Sequence, residues 1–206
     1  MIAPAKASPS RRRRLQREKD FTGDRLTTFR AVFLRHGLPG LTLGLLFLTV
    51  PTFQRVFGDS LAPVAAHPGR YAAGAVLILL ALNMYAWRID RDWNVAKLGW
   101  VLYLGALSLW EEWVFRLAVP QGLESAGASV WTAALISAVL FGAQHFFTLR
   151  WKWYWCVGAA LGGIYFSVQM ERHNDLLLVA AIHWVATYLN TPRLPGASSG
   201  AKAEIE

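Results

Sequence analysis

The sequence has almost no cysteine, since Cys156 is the one cysteine in 206 residues. An intrachain disulfide and a metal site built from several cysteines are therefore excluded. Acidic residues are also scarce, because 13 Asp and Glu stand against 21 Lys and Arg and leave a net charge of +8. Basic and aromatic residues are not interleaved on any polar stretch, so this charge does not indicate a nucleic-acid partner. It fits a chain that contacts anionic lipid and is oriented by its basic segments.

The N-terminal region lacks an apolar segment close enough to its arginines to form a cleaved signal peptide. Residues 1–22 are rich in Pro, Ser, Ala and Arg, which predicts a disordered cytosolic tail. Residues 23–36 have apolar side chains at helical spacing with arginines between them, which predicts an interfacial helix. Residues 192–206 are small and polar and predict a second disordered tail. The remaining chain, residues 23–191, is therefore expected to form a single helical membrane domain.

Long apolar runs dominate the rest of the sequence, which is 54% hydrophobic and contains ten tryptophans. This composition is typical of an all-α, polytopic membrane protein whose tryptophans mark the two membrane interfaces. Pro51 is expected to kink or end the first span, and Pro120 to end the third. The distribution of Lys and Arg predicts cytosolic termini, and we expect a bacterial inner membrane. About six transmembrane helices are predicted, over residues 38–50, 71–87, 98–119, 130–147, 153–170 and 176–189.

The third predicted span contains three charged residues, Glu111, Glu112 and Arg116, within an apolar run. Charged groups near the middle of a membrane segment are costly, and they usually mark functional positions. Glu112 and Arg116 are four residues apart, so they share a helix face and can neutralise each other. Glu111 points about 100 degrees away from Glu112. It is therefore the carboxylate left free to act as a general acid or base.

Two later spans bring histidines into similar apolar surroundings. The fourth span contains His145 at the end of a Phe-x-x-x-His sequence, and the sixth contains His183 and Thr187 four residues apart. A single buried histidine is more often a hydrogen-bonded structural residue. Two histidines on separate membrane helices, together with the charged third span, instead favour a functional cluster in which Glu111, His145 and His183 converge. Counted along the predicted spans, Glu111 lies more than one helical turn deeper than His145, a mismatch that a longer third span would reduce.

The order Glu-Glu-x-x-x-Arg, then Phe-x-x-x-His, then a later His resembles the CPBP family. This is the CAAX prenyl protease and bacteriocin-processing family of intramembrane endopeptidases, also called ABI proteins. The motifs lie within residues 98–191, about half of the chain. The resemblance implies hydrolysis of a peptide bond inside a membrane cavity. It also implies that Glu111 is the general base that activates water and that His145 helps to hold this water.

The resemblance assigns the remaining residues of the predicted site. Glu112 and Arg116 match the second glutamate and its paired arginine, and His183 matches a histidine that lines an oxyanion hole. The family usually has Asn or Asp four residues after this histidine, whereas this chain has Thr187. A threonine hydroxyl is shorter and donates one hydrogen bond, so the hole is either remodelled or lacks that donor. Asn190, on the same helix face, is a second candidate donor, although a structural role at the interface explains it as well.

Three functions remain open from the sequence. The first is a cofactor-free, glutamic-type endopeptidase acting on a membrane-associated or lipidated protein or peptide in the lipid bilayer. The second is a metallopeptidase in which Glu111, His145 and His183 bind zinc, although no His-Glu-x-x-His motif supports it. The third is a non-enzymatic immunity or scaffold protein with the same fold, or a proton-coupled carrier. No inverted repeat is visible between the two halves of the chain, which argues against a carrier.

Overall fold

The computed structural model describes residues 28–195, and within this range the chain forms helices and turns without any β-strand. The predicted N-terminal tail, the start of the predicted interfacial helix and most of the predicted C-terminal tail lie outside the described residues. The helices between residues 28 and 195 are α1 (Phe29–Phe47), α2 (Pro51–Ser60), α3 (Ala62–Ala66), α4 (Pro68–Asp90), α5 (residues 95–125), α6 (Val130–Leu149), α7 (Trp153–His173) and α8 (Leu176–Asn190).

Several helix ends follow directly from the residues at their boundaries. Helices α1, α5, α6 and α8 each begin after a side chain that accepts a hydrogen bond from the backbone N–H three residues later. These caps stabilise the first helical turn. The capping residues are Thr28, Asn94, Ser129 and Asp175, at 3.0–3.2 Å. Helices α4, α6 and α7 end at residues with left-handed backbone, which are Arg91, Arg150 and Asn174 with φ of 54°, 56° and 44°.

The first predicted span is a bent pair of helices. Helix α1 contains a π-helical turn at Phe33–Gly37 and ends at Phe47. Val50 is extended, with φ of −104° and ψ of 126°, and Pro51 begins α2. The directions of α1 and α2 differ by 107°. The kink predicted at Pro51 is therefore confirmed, because a residue before proline avoids the helical conformation.

Helix α5 carries the charged residues and continues past Pro120. It is α-helical over Val95–Glu112, π-helical over Trp113–Ala118 and α-helical again over Val119–Ser125. The prediction that Pro120 ends this span is therefore wrong.

The reason is the π-helical turn immediately before Pro120. In this turn the N–H of Val119 bonds to the carbonyl of Val114, five residues back. The next residue is Pro120, which has no N–H, so the carbonyl of Phe115 is left without a backbone partner. Ser137 Oγ at 2.5 Å and Arg116 Nη1 at 3.1 Å donate to this carbonyl instead. The helix therefore passes through the proline with its backbone acceptor satisfied.

The chain is a helical membrane protein, and two of its described helices are long and apolar enough to cross a bilayer. These helices are α4 and α6, and the bent pair α1 and α2 makes a third candidate if it counts as one span. Helix α8 is apolar but shorter. The first 18 residues of α5 contain three charged residues, Lys97, Glu111 and Glu112, and α5 is not among these candidate spans. The number of six spans stays a prediction.

Helix α5 is surrounded by the other long helices, which pack on different parts of it. Trp184 of α8 donates from Nε1 to the carbonyl of Val101, at 2.8 Å. On the α1 side, Trp110 and Trp113 donate from Nε1 to the carbonyls of Gly40 and Gly44, at 2.6 and 3.2 Å. Helix α6 packs against both α5 and α7. This arrangement places α1, α6, α7 and α8 around the charged part of α5.

The contact between α1 and α5 depends on the absence of a side chain at Gly44. A Cβ atom there would lie 2.6–2.7 Å from three atoms of the Trp110 indole, which is overlap. We expect Gly44→Ala to lower the free energy of unfolding by about 1–3 kcal/mol, because the two helices must separate. Thermal unfolding in detergent measures this loss. The matched control is Gly99→Ala, because no atom of the residues that the structure describes lies within 4 Å of a Cβ there. Equal melting temperatures for the two variants would contradict the prediction.

Candidate active site

Glu112 and Arg116 form a fully enclosed ion pair within α5. Arg116 Nε lies 3.1 Å from Glu112 Oε2, and neither side chain is exposed. The guanidinium Cζ also lies 4.6 Å from the centre of the Phe141 ring on α6, a cation–π contact. The structure thus places these two residues on one helix face, at the spacing that the sequence analysis used.

Glu111 lies on another face of α5, where three helices present nitrogen atoms to its carboxylate. Oε1 accepts a hydrogen bond from Gln144 Nε2 at 2.8 Å and lies 3.0 Å from His36 Nε2. His145 Nε2 lies 3.9 Å from Oε1, and His183 Nε2 lies 3.8 Å from Oε2. The structure therefore brings Glu111, His145 and His183 together, and it adds two residues to them.

The other ring nitrogens determine how each histidine is oriented. His145 Nδ1 lies 2.7 Å from the carbonyl of Phe141, and a carbonyl only accepts, so Nδ1 carries a proton and Nε2 faces Glu111. His183 Nδ1 lies 2.7 Å from Glu112 Oε1. The angles of this second contact fall outside hydrogen-bond geometry, and neither atom has a hydrogen-bond partner among residues 28–195. We therefore treat it as an electrostatic contact that joins the ion pair to the site.

The two polar residues that follow His183 on α8 differ in their surroundings. Thr187 lies one turn after His183 and is half-buried, and its hydroxyl makes no hydrogen bond to any residue from 28 to 195. Asn190 is exposed, and its side-chain nitrogen donates to the carbonyl of Ala186 at 3.0 Å. The hydroxyl of Thr187 is thus available to another group, whereas the amide of Asn190 already caps its own helix.

A cavity of about 230 Å³ is lined in part by Arg116 of the ion pair. Arg116, Gln121, Ser167 and Asn174 are among its lining residues, and Glu111 is not. Nη2 of Arg116 has no hydrogen-bond partner within the described part of the chain. A polar cavity beside it offers room for water, which can satisfy this buried donor.

The sequence does not predict a role for His36 or Gln144 in the site. Gln144 stands next to His145 without a pattern of its own, and His36 is the last residue of the predicted interfacial helix. His36 is 4% exposed and lies in the π-helical turn of α1. Its sequence neighbours are a basic residue and a glycine, so no local pattern distinguishes it from a histidine at a membrane surface. Only the packing of α1 on α5 reveals its contact with Glu111.

Three side chains of the site are close enough to bind one metal ion. The donor atoms of His36, Glu111 and His145 all lie within 4.8 Å of one another. Two imidazoles and a carboxylate are a ligand set of catalytic zinc sites. In addition, Nδ1 of His36 and of His145 each contacts an oxygen outside this set, as is common for histidine ligands. These residues therefore fit a zinc ion, with His36 in the place where the sequence analysis had His183.

The fold and the site together define a helical membrane protein in which a buried carboxylate lies close to several buried imidazoles from different helices. Residues 92–189, just under half of the chain, match the model of a family described as Type II CAAX prenyl endopeptidase Rce1-like. This match confirms the resemblance to the CPBP family over these residues. No curated protein and no solved structure matches the chain. His36 lies outside the matched residues.

The buried ion pair yields a prediction about stability. Arg116→Met leaves the Glu112 carboxylate without its cation, and we expect the free energy of unfolding to fall by about 3–5 kcal/mol. The double variant Glu112→Gln with Arg116→Met removes both charges and should recover part of this loss. Unfolding in detergent micelles measures both effects.

The matched control is Lys97→Met, which breaks the ion pairs with Asp90 and Asp92 at 3.2 and 3.3 Å. These pairs are partly exposed, so their loss should cost less than about 1 kcal/mol. A loss in the Arg116 variant no larger than that in the control would contradict the prediction.

Proposed function

We propose that the chain is an intramembrane endopeptidase of the glutamic type. It hydrolyses a peptide bond in a membrane-associated or lipidated protein or peptide. The observation that carries this proposal is the buried Glu111 carboxylate with the Nε2 atoms of His145 and His183 within 4 Å of it. The family match supports the same class of reaction, because the matched model is that of a prenyl endopeptidase.

In this mechanism Glu111 and His145 activate the attacking water. His145 Nε2 lies 3.9 Å from the nearer oxygen of Glu111, which is too long for a direct hydrogen bond, but one water can bond to both His145 Nε2 and the Glu111 carboxylate. The water donates one proton to each acceptor, because His145 already carries its own proton on Nδ1. As its oxygen attacks the scissile carbonyl, Glu111 takes up a proton. Glu111 later delivers this proton to the leaving amine.

His183 and Thr187 stabilise the oxyanion that forms on the attacked carbonyl. His183 Nδ1 faces Glu112 Oε1 in the electrostatic contact at 2.7 Å, and Nε2 donates into the site. The hydroxyl of Thr187, which no described residue uses, is the second donor. Hydrogen-bond donors that are held in place before the reaction stabilise the developing charge strongly in a buried site. Glu112 and Arg116 act indirectly, because they hold His183 in its orientation.

The central test is the variant Glu111→Gln. It keeps the size of the side chain but removes the base, so cleavage should fall by about 1,000-fold or more. The assay uses a quenched fluorescent peptide that ends in a farnesylated Cys, two aliphatic residues and a terminal residue, with purified protein in detergent micelles. Glu171→Gln is the matched control, because Glu171 is exposed and is not among the residues that contact the carboxylate of Glu111. Cleavage by Glu111→Gln at the rate of the control would overturn the proposal.

The same assay distinguishes the second candidate, a zinc peptidase. The donor atoms of His36, Glu111 and His145 within 4.8 Å favour this alternative. A bound zinc ion would supply a Lewis acid and an activated water. Chelator-washed protein should keep its activity if Glu111 acts as the base without a metal ion. Loss of activity that added zinc restores would transfer the assignment to the metallopeptidase.

A further prediction separates the two candidate donors on α8. Thr187→Val keeps the shape of the side chain and removes the hydroxyl, so kcat should fall by about 100-fold with little change in KM. Asn190→Ala should leave kcat unchanged, because the amide of Asn190 bonds to its own helix. The farnesylated peptide assay measures both constants. The opposite order of the two effects would assign the donor to Asn190.

The topology and location of the chain are part of the same proposal. We place the protein in a bacterial inner membrane with its N-terminus in the cytosol, because Lys and Arg accumulate on that side of the predicted spans. A non-enzymatic immunity or scaffold role would follow if the Thr187 position had cost the chain its activity. Wild-type protein that binds the farnesylated peptide without cleaving it would support that role.

A further inference from the structure

His36 reaches the site from a part of the chain outside the family match. It lies in the π-helical turn Phe33–Gly37 of α1 and is buried, with 4% of its surface exposed. Its Nε2 atom lies 3.0 Å from Glu111 Oε1, which is closer than the contact of either His145 or His183 with this carboxylate. A buried imidazole at this distance is an oriented partner of the carboxylate.

The neighbours of His36 hold α1 against the end of α6. Arg35 donates from Nε to the carbonyl of Thr148 at 3.2 Å and from Nη2 to the carbonyl of Phe147 at 3.0 Å. These carbonyls belong to the last turn of α6, where a cation is favourable. On the other side, a Cβ at Gly37 would lie 2.7 Å from the hydroxyl oxygen of Tyr103, so α1 also approaches α5 closely. The backbone that carries His36 is therefore fixed from both sides.

The ring of His36 is held at both nitrogens. Nδ1 lies 2.8 Å from Thr148 Oγ1, and this hydroxyl also lies 2.6 Å from the carbonyl of Gln144. The hydroxyl donates its single proton to one of these two partners. If it donates to Gln144, Nδ1 of His36 donates to the hydroxyl, and if it donates to His36, Nδ1 is the acceptor and the ring proton is on Nε2. In both cases Nε2 is the nitrogen that faces Glu111 Oε1, 3.0 Å away.

The two carboxylate oxygens of Glu111 have different contacts. Oε1 of Glu111 lies 3.0 Å from His36 Nε2 and accepts a hydrogen bond from Gln144 Nε2 at 2.8 Å. Oε2 accepts no hydrogen bond from residues 28–195 and lies 3.8 Å from His183 Nε2. A carboxylate with two donors on one oxygen cannot rotate freely, so its second oxygen keeps a defined direction. A base with a fixed direction transfers protons more efficiently than one that samples several orientations.

We propose that His36 is a positioning residue for Glu111, which it anchors through Oε1 so that the carboxylate is aligned with the water and the scissile bond. This inference rests on the proposed role of Glu111 as the general base. It assigns α1, which the family model does not cover, a part in catalysis.

The kinetic test compares variants at position 36 and at its neighbour. His36→Ala should lower kcat about 10- to 100-fold and change KM less than about twofold, because alignment and not binding is lost. His36→Gln, whose amide can donate towards Glu111, should recover part of this loss. The docking control is Arg35→Gln, which removes two hydrogen bonds to α6 but keeps the histidine. It should lower the melting temperature and reduce kcat less than about threefold. An equal loss of kcat in His36→Ala and in the control Arg35→Gln would reduce the role of His36 to helix docking and overturn the inference.

A spectroscopic test does not depend on any substrate. The chain has five histidines, so ring ¹⁵N resonances of chelator-treated, histidine-labelled protein can be assigned by single replacements. Glu111→Gln should shift the His36 ring resonances and leave those of the exposed His67 and His173 unchanged. Unshifted His36 resonances would overturn the inference whatever the assay shows. This measurement also covers the case in which His36→Ala does not fold.

The two proposals fail in different ways. Activity of Glu111→Gln equal to that of wild type overturns the proposed function. An inactive Glu111→Gln variant together with a His36→Ala variant of normal kcat keeps the proposed function and overturns the role of His36. If both hold, the double variant His36→Ala with Glu111→Gln should be no less active than Glu111→Gln alone, because His36 acts only through Glu111.

Discussion

The rest of the site depends on the enclosed ion pair between Glu112 and Arg116. Two charges without contact to solvent are tolerated only if each is compensated, and here the compensation comes from several helices. The guanidinium has Glu112 on one side, the Phe141 ring on another and the Phe115 carbonyl on a third. The free oxygen of Glu112 meets His183 on α8. The pair on α5 thus contacts both α6 and α8, and its contact with His183 fixes the position of that ring.

Much of this site could be predicted from spacing within single helices. The four-residue interval between Glu112 and Arg116 is enough to place them on one face, and two histidines in apolar segments are enough to indicate a cluster. His36 could not be found in this way, because its contact with Glu111 joins residues 75 positions apart and leaves no periodic trace in α1. The contact of His36 with Glu111 is recognised only once α1 is seen to pack against α5. The role of Gln144 could not be predicted either, because a glutamine beside a histidine is not a recognisable sequence motif.

The helix boundaries likewise fall into those that the sequence predicts and one that it does not. Helix starts at Ser129 and Asp175 and the bend at Pro51 follow from local rules, because caps and proline act on their immediate neighbours. The end of α5 did not follow, because the rule that proline ends a helix assumes α-helical hydrogen bonding. A π-helical turn changes which carbonyl loses its partner, and Ser137 on another helix replaces that partner. The prediction therefore failed because a side chain on another helix donates the hydrogen bond that the backbone of α5 does not supply.

Both π-helical turns of the described chain lie beside the site, one carrying His36 and the other carrying Arg116. Such a turn accommodates one residue more than an α-helical turn of the same sweep. Its presence amounts to a single-residue insertion that the helix absorbs without breaking, and side chains beyond it face a different direction from the one an uninterrupted α-helix would give them. The two π-helical turns therefore set the rotation of the helix segments that follow them, and with it the directions of the side chains at the site. Deleting one residue from either turn would rotate everything after it away from its present neighbours.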